Sequence, residues 1–183
     1  MKRAEALLQE LERYEPADEA ERVHRRELIE LLSTSADPFS RDDFTPGHVT
    51  ASAFIVDDAA RLLLHHHRRL GRWLQMGGHV EPGETPAGAA LREGMEESGL
   101  RDLRLIGLID LDVHVIPEGR GEPAHRHFDV RYLARTEAPA SIAIDAAESV
   151  ELKWTGLEEA ASLMGSAESL RVIRKITGVL CTS

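Results

Sequence analysis

The segment from Gly77 to Leu100 (GGHVEPGETPAGAALREGMEESGL) constrains the fold of this chain more than any other stretch. It opens with two adjacent glycines, which we interpret as a turn, and continues through a Pro-Gly pair. A helix is predicted next, because Thr85 is a suitable N-cap and Pro86 suits the first helical position. Gly99 suits the residue just past the helix end. The sequence therefore predicts a loop followed directly by a helix.

This predicted helix carries three glutamates on one face. Glu93 stands three and four positions before Glu96 and Glu97, so at 3.6 residues per turn the three share a surface. Like charges at this spacing repel each other, and a divalent cation would turn the repulsion into attraction. Mg²⁺ prefers oxygen ligands, which these carboxylates and the carbonyls of Gly77 and Gly78 could supply. The pattern predicts a metal site, and a solvated acidic helix face is the alternative.

The rest of the chain interleaves helices and strands without a regular strand–helix–strand repeat. Predicted helices lie at 4–14, from 18 onward, and around 157–164 and 167–180, and predicted strands at 48–56, 61–67, 102–116, 125–134 and 150–154. At least two connections have the features of hairpins, which favours an α+β fold with a mixed sheet over a doubly wound parallel sheet. We expect residues 1–35 to form an N-terminal helical extension, a helical hairpin, and 36–183 to form the main domain.

From Gly78 onward, the segment resembles the Nudix box, the signature of the Nudix hydrolases. That pattern is a glycine, five residues, a glutamate, seven residues, and then Arg-Glu-aliphatic-any-Glu-Glu-any-Gly-apolar. Eight of its nine fixed or class positions match: Gly78, Glu84, Arg92, Glu93, Glu96, Glu97, Gly99 and Leu100. Gly94 departs from the pattern, because an aliphatic residue is usual at that position.

The resemblance implies an αβα sandwich and Mg²⁺-dependent hydrolysis, with Mn²⁺ as a substitute, of a nucleoside diphosphate linked to another moiety. The enzyme would act on phosphoric anhydride bonds. In the family, glutamates of this segment bind the metal, here Glu93, Glu96 and Glu97, and one of them or a glutamate on a later loop prepares the attacking water. Arg92 and Glu84 are expected to brace the helix and loop by a salt bridge. The alternative is a non-hydrolytic Nudix domain that senses a nucleotide or sugar-nucleotide, against which the complete glutamate set argues.

A late carboxylate often completes such a site, and Glu148 stands just before the last predicted strand. We select Glu148 over Glu151 as a further catalytic residue, with ordinary surface charge as the alternative for both. No fixed spacing defines this residue.

Nine histidines are many for 183 residues, and they cluster. His114 and His127 fall on the polar faces of two strands that are expected to pair, and His79 lies within the box, so we expect all three to contact substrate. The alternatives are ordinary hydrogen-bonded histidines, or a zinc site formed by His114, His125 and His127. Arg72 belongs to a basic stretch near the second strand and is a further candidate for substrate binding, with an exposed hairpin tip as the alternative.

The composition narrows the choice of partners. A formal charge of −10 argues against duplex nucleic acid, because such binding depends on neutralising phosphates with Lys and Arg. A small phosphorylated ligand remains compatible, since bound Mg²⁺ supplies positive charge. No stretch approaches the roughly 20 apolar residues of a membrane span, and the single Cys181 fits a reducing cytoplasm. The N-terminal hairpin is expected to pack on the domain, and a lid or a homodimer element is the alternative.

Overall fold

The computed structural model describes residues 2–119 and 121–182. The helices are α1 (Lys2–Arg13), α2 (Glu19–Thr34), α3 (Pro86–Ser98), α4 (Leu157–Met164) and α5 (Ala167–Thr182). The strands are β1 (Gly47–Val56), β2 (Leu62–His67), β3 (Arg72–Leu74), β4 (Met76–His79), β5 (Arg104–Ile116), β6 (His125–Arg135) and β7 (Ser149–Thr155). A short 3-10 helix covers Pro139–Ser141. The predicted helices and the five predicted strands are confirmed, whereas β3 and β4 were not predicted.

The predicted caps of α3 are present, and α2 is capped at its start in the same way. The Asp18 carboxylate accepts a hydrogen bond from the Glu21 N–H at 2.8 Å, and the Thr85 hydroxyl accepts one from the Gly88 N–H at 3.1 Å. Each bond satisfies one of the backbone donors that a helix leaves unpaired at its first turn. Gly99 ends α3 with φ 75°, a left-handed conformation that costs glycine little. These local signals fix where α2 and α3 begin and where α3 ends.

The seven strands form one mixed sheet with the order β3-β2-β1-β6-β5, in which β4 also pairs with β1 and β7 with β2. β1 and β6 run parallel, and the other described pairs are antiparallel. One edge of β1 is shared between two partners, because residues 50–53 pair with β4 whereas Ile55 and Val56 pair with β2. The sheet therefore forks beside β1, and α3 follows the β4 branch.

Helices cover both faces of the sheet, as a sandwich requires. Alternate residues of β1 point to opposite faces. Val49, Ala51, Ala53 and Ile55 belong to the core that includes residues of α1, α2 and α3. Phe54 and Val56 belong to the second core, to which α4 and α5 contribute. The predicted αβα sandwich with a mixed sheet is confirmed.

The two N-terminal helices pack directly on this sandwich. Leu7 and Leu11 of α1 and Leu28 of α2 are buried in the same core as β1. Buried Glu21 accepts hydrogen bonds from the Leu111 N–H at 3.2 Å and from the Lys175 ammonium at 2.6 Å, which joins α2 to β5 and α5. The division at residue 35 stays a prediction. Within the part of the chain that the structure describes, no helix is long and apolar enough to cross a membrane.

Candidate active site

Gly77 and Gly78, the glycine pair at the start of the Gly77–Leu100 segment, lie in strand β4, so their interpretation as a turn is wrong. Gly77 pairs with Ser52 and Gly78 with Ala51 across β4 and β1. A Cβ on Gly77 would lie 2.8 Å from the Ala51 carbonyl oxygen, and one on Gly78 would overlap the Glu93 carboxylate. Glycine is therefore required for β4 to fit between β1 and α3, although glycine is normally unfavourable in strands.

Arg92 holds the acidic face of α3 together. Its guanidinium donates to Glu84 at 3.1 and 3.2 Å, to Glu93 at 2.8 Å and to Glu96 at 3.1 Å. It also donates to the His79 carbonyl oxygen at 2.9 Å, which ties α3 to the end of β4. These charged partners raise the pKa of Arg92 despite its partial burial. The predicted Arg92–Glu84 salt bridge is present, and the same arginine also orients two of the predicted metal ligands.

The three predicted ligands differ in exposure. The Glu96 side chain is 59% exposed, whereas Glu97 is buried and accepts a hydrogen bond from the Gly77 N–H at 3.1 Å. The pKa of Glu97 is raised to about 8, chiefly by burial; the Gly77 hydrogen bond lowers it, and the neighbouring carboxylates of Glu93, Glu148 and Asp145 raise it. Burial also raises the pKa of Glu93. Arg92 does not hydrogen-bond Glu97, so this buried carboxylate is the one that would gain most from a bound cation.

Glu148 lines the same cleft as Glu97, in the turn that precedes β7, as its position in the sequence predicted. Arg68 holds this turn, because its side chain donates to the Ala146 carbonyl at 2.9 Å and its N–H donates to the Glu148 carbonyl at 2.8 Å. Asp145 lines the same wall. Two further carboxylates thus face the acidic side of α3, and Asp145 was not identified from the sequence because no motif marks it.

The acidic face of α3, strand β4 and the turn before β7 border one cleft of about 1330 Å³. Its lining includes most of the predicted site residues: Gly77, Gly78, His79, Arg92, Glu93, Glu96, Glu97, His114, His127 and Glu148. Arg72 does not line the cleft, because it stands exposed at the hairpin end of β3. Arg68 and Arg69 line it instead. Glu84 lies behind the cleft, where it contacts Arg92.

Asp129, which lines the cleft, belongs to a paired charge network that the sequence pattern did not reveal. Buried Arg131 donates to Asp129 at 2.9 Å, to Asp110 at 3.1 Å and to Asp112 at 2.8 Å. Asp129 in turn accepts a hydrogen bond from the Ser52 hydroxyl at 2.9 Å. Burial alone would raise the pKa of Asp112, but a hydrogen bond from His114 and the charge of Arg131 hold it well below its usual range. Arg131 thus satisfies charges that would otherwise be buried unpaired.

Histidine rings close one end of the cleft. His79 and His127 line it, with ring centroids 5.4 Å apart, and His48 lies 4.9 Å from His127. Burial and, to a smaller extent, the neighbouring histidines lower the pKa of His79 to about 4 and that of His127 to about 2. These rings are therefore neutral at pH 7. The alternative of a zinc site was drawn from His114, His125 and His127. The histidine whose ring nitrogen lies within 4.8 Å of those of His125 and His127 is His48 instead.

Gly94, which departs from the box pattern, has a packing explanation. A Cβ at this position would lie 3.0 Å from Leu103 Cδ1, 3.4 Å from Ala53 Cβ and 3.5 Å from Ile55 Cδ1. Neighbouring side chains therefore already fill the space that an aliphatic residue would take. The missing side chain leaves no gap between α3 and β1.

The donor set of this site fits a hard divalent cation. Three carboxylates and the glycine backbone of β4 offer the oxygen ligands that such ions prefer. The absence of a Cβ at Gly78 leaves room for the Glu93 carboxylate. Burial, together with neighbouring negative charge, raises the pKa of Glu97, and a bound cation would stabilise the charged form of that carboxylate. Glu93, Glu96 and Glu97 are the residues that would hold the ion.

Comparisons with known proteins identify the family of this chain. The NUDIX domain family model matches residues 46–176. A probable DHNTP pyrophosphohydrolase of Lactococcus lactis is 29% identical over 135 residues, which are 73% of this chain and 80% of that protein. An asymmetrical bis(5'-nucleosyl)-tetraphosphatase of Caenorhabditis elegans is 31% identical over 109 residues, 59% of this chain and 75% of that protein.

A solved structure gives the same result for the fold. The binary complex of a C. elegans Ap4A hydrolase superposes with a TM-score of 0.62 at 25% identity, and the match covers 74% of this chain and 98% of that one. Residues 46–176, which the NUDIX family model matches, contain every strand of the sheet described above. Family model, relatives and structure agree, and the chain belongs to the Nudix hydrolase family of enzymes that act on pyrophosphate bonds.

Proposed function

We propose that this chain catalyses the Mg²⁺-dependent hydrolysis of a diphosphate linkage in a nucleoside diphosphate joined to another moiety. The observation that carries the proposal is the meeting of Glu93, Glu96 and Glu97 with the glycine strand β4 at the wall of a large cleft. When bound, Mg²⁺ supplies positive charge to the diphosphate and acidifies an attacking water. Mn²⁺ would substitute for it.

The chain's own residues orient these ligands before substrate arrives. Arg92 fixes the carboxylates of Glu93 and Glu96, while the Gly77 N–H fixes Glu97. Such preorganisation lowers the barrier because the groups need not rearrange during the reaction. Arg92 and Glu84 therefore act as positioning residues.

Glu148 is our candidate for accepting the proton of the attacking water. It lines the cleft, and its charge is close enough to Glu97 to raise the pKa of that residue. The Arg68 contacts to its turn hold it there. A positioned base of this kind typically contributes about 10²–10⁴-fold to a rate.

The cleft suits a large, charged substrate. Its volume of about 1330 Å³ exceeds the roughly 300–1,000 Å³ that is typical of small-molecule pockets, which allows for a group on each side of the diphosphate. Arg68 and Arg69 offer positive charge on the β2 side, and neutral His79 and His127 offer hydrogen bonds and stacking surface at the other end. The relatives are named DHNTP pyrophosphohydrolase and Ap4A hydrolase, and each of these names refers to a substrate in which a heterocycle is linked to a polyphosphate.

The test is a panel of ADP-ribose, nucleoside diphosphate sugars, dinucleoside polyphosphates and oxidised nucleoside triphosphates, incubated with Mg²⁺ or Mn²⁺. Products are identified by chromatography and mass spectrometry. We expect metal-dependent cleavage within the phosphate chain of at least one class. Tight nucleotide binding without any phosphate release under either metal would favour the sensing alternative instead.

A cytoplasmic location, with no membrane or duplex nucleic acid as partner, completes the proposal. The single Cys181 and the charge of −10 support it. The alternative role of α1 and α2, formation of a homodimer, is tested by measuring the mass of the native protein in solution, which would be twice that of one chain.

A further inference from the structure

A second group of potential ligands lies beside the carboxylate site. His48 begins β1, His125 and His127 begin β6, and the parallel pairing places His48 opposite His127. One ring nitrogen from each of the three histidines lies within 4.8 Å of the other two. His48 and His125 are buried and do not line the cleft, so the hydrolysis proposed above does not use them.

Backbone contacts determine which nitrogens are available. His48 Nδ1 lies 3.0 Å from the Asp43 carbonyl oxygen, and His125 Nδ1 lies 2.8 Å from the Pro123 carbonyl oxygen. A carbonyl oxygen only accepts, so each Nδ1 carries the hydrogen and each Nε2 of a neutral ring carries a lone pair. His48 Nε2 is buried and has no hydrogen-bond partner among the described residues. Buried polar atoms rarely lack a partner, which points to a missing one.

The contact between two of these nitrogens has the length expected of two ligands of one metal ion. His125 Nε2 and His127 Nε2 lie 3.3 Å apart. In a tetrahedral zinc site with bonds of about 2.0–2.1 Å, two ligand atoms are separated by about 3.4 Å. In metal sites, a backbone carbonyl often accepts a hydrogen bond from the second nitrogen of a metal-binding imidazole and so orients the ring. The carbonyls of Asp43 and Pro123 stand in this position for His48 and His125.

We propose that His48, His125 and His127 bind one divalent transition-metal ion of the Zn²⁺ class, at a site separate from the carboxylates of α3. Imidazole nitrogens suit zinc and its neighbours, whereas Mg²⁺ prefers oxygen. His79 is the candidate for the fourth ligand, because its ring centroid lies 5.1 Å from that of His48. The ion would fasten the start of β1 to the start of β6 at one end of the cleft.

The test uses the full chain, stripped of metal with a chelator and dialysed into millimolar Mg²⁺ so that the carboxylates are occupied. Zn²⁺ is then titrated in competition with a chromophoric chelator. We expect one tightly bound Zn²⁺ per chain in the wild type and in Glu96→Gln. His48→Asn, His125→Asn and His127→Asn should each bind it more than about 10-fold more weakly, since losing even an outer contact costs roughly 10–100-fold.

His66→Gln is the matched control, because His66 is a half-buried histidine of β2 that packs on Trp73 away from this group. It should bind Zn²⁺ as the wild type does. Binding that is lost in Glu96→Gln but retained in the three histidine variants would overturn the proposal, as would a wild type that binds no more tightly than those variants.

A second measurement avoids variants that fold poorly. Long-range ¹H–¹⁵N spectra of the wild-type histidine rings, recorded before and after one equivalent of Zn²⁺, report on each Nε2. The proposal predicts that the Nε2 resonances of His48, His125 and His127 shift together. A spectrum that Zn²⁺ leaves unchanged would overturn the proposal. The 3.3 Å contact would then be a hydrogen bond in which His127 Nε2–H donates to His125 Nε2.

Discussion

Replacing Glu97 by glutamine should stabilise the metal-free protein at alkaline pH. Folding buries Glu97 beside other carboxylates and raises its pKa from 4.5 to about 8. The folded state therefore favours the protonated form, and glutamine has nearly the shape of that form without its proton. Its side-chain oxygen can still accept the hydrogen bond from the Gly77 N–H.

The sign and size of the effect follow from the two pKa values. Because the folded-state pKa is raised, the contribution of Glu97 to stability is complete below pH 4.5 and is lost as the pH rises through 8. Each pKa unit corresponds to about 1.4 kcal/mol, so the full difference is about 5 kcal/mol. Between pH 5 and pH 9, the stability advantage of Glu97→Gln over the wild type should grow by about 4 kcal/mol.

Urea denaturation in EDTA at pH 5, 7 and 9 measures this difference. Glu96→Gln, which removes one charge from an exposed position of the same helix, is the control. Added Mg²⁺ should reverse the order at pH 7 to 9, since ligand binding to the folded state stabilises the wild type more than the variant. Equal free energies of unfolding for wild type and Glu97→Gln at all three pH values in EDTA would refute the reasoning.

Three further substitutions test the packing, the charge network and the proposed base. Gly94→Ile should lower the free energy of unfolding by about 1–3 kcal/mol, because Leu103 already fills the space, and a variant as stable as the wild type in urea would contradict this. Arg131→Met should cost about 3–5 kcal/mol in the same assay by leaving buried carboxylates unpaired, whereas the exposed Arg104→Met should cost less than about 1 kcal/mol. Glu148→Gln should reduce kcat by about 10²–10⁴-fold on the best panel substrate without changing thermal stability, and an unchanged kcat would remove Glu148 from the proposed mechanism.

Local signals in the sequence were sufficient for most of the fold and for the acidic face of α3. Thr85 and Gly99 determine the ends of that helix through contacts with their own neighbours in the chain, so their roles do not depend on distant residues. The same holds for the spacing of Glu93, Glu96 and Glu97, which any regular helix places on one face. The assignment of these three residues as metal ligands stays a prediction.

Features that depend on distant partners were not predictable in this way. β4 is a strand because its glycines approach β1 across 25 residues of chain, a contact that strand propensity cannot report. Strand alternation predicts that Ile109, Leu111, Val113 and Val115 lie on one side of β5. This is wrong for Ile109, because the register of β5 shifts near residue 109. Ile109 consequently packs in the α4–α5 core, and Val115 is exposed. The joining of His48 to His125 likewise depends on the parallel pairing of β1 and β6.

The most direct test of the proposed function is the rate at which Glu96→Gln and Glu97→Gln hydrolyse the panel substrate that the wild type cleaves best, under saturating Mg²⁺. Both variants should keep the fold, as judged by circular dichroism, because Arg92 still ties α3 to β4 through the His79 carbonyl. We predict that each loses at least about 100-fold in kcat, as expected when groups that stabilise charge in the transition state are removed. Undiminished hydrolysis by both variants would contradict the account.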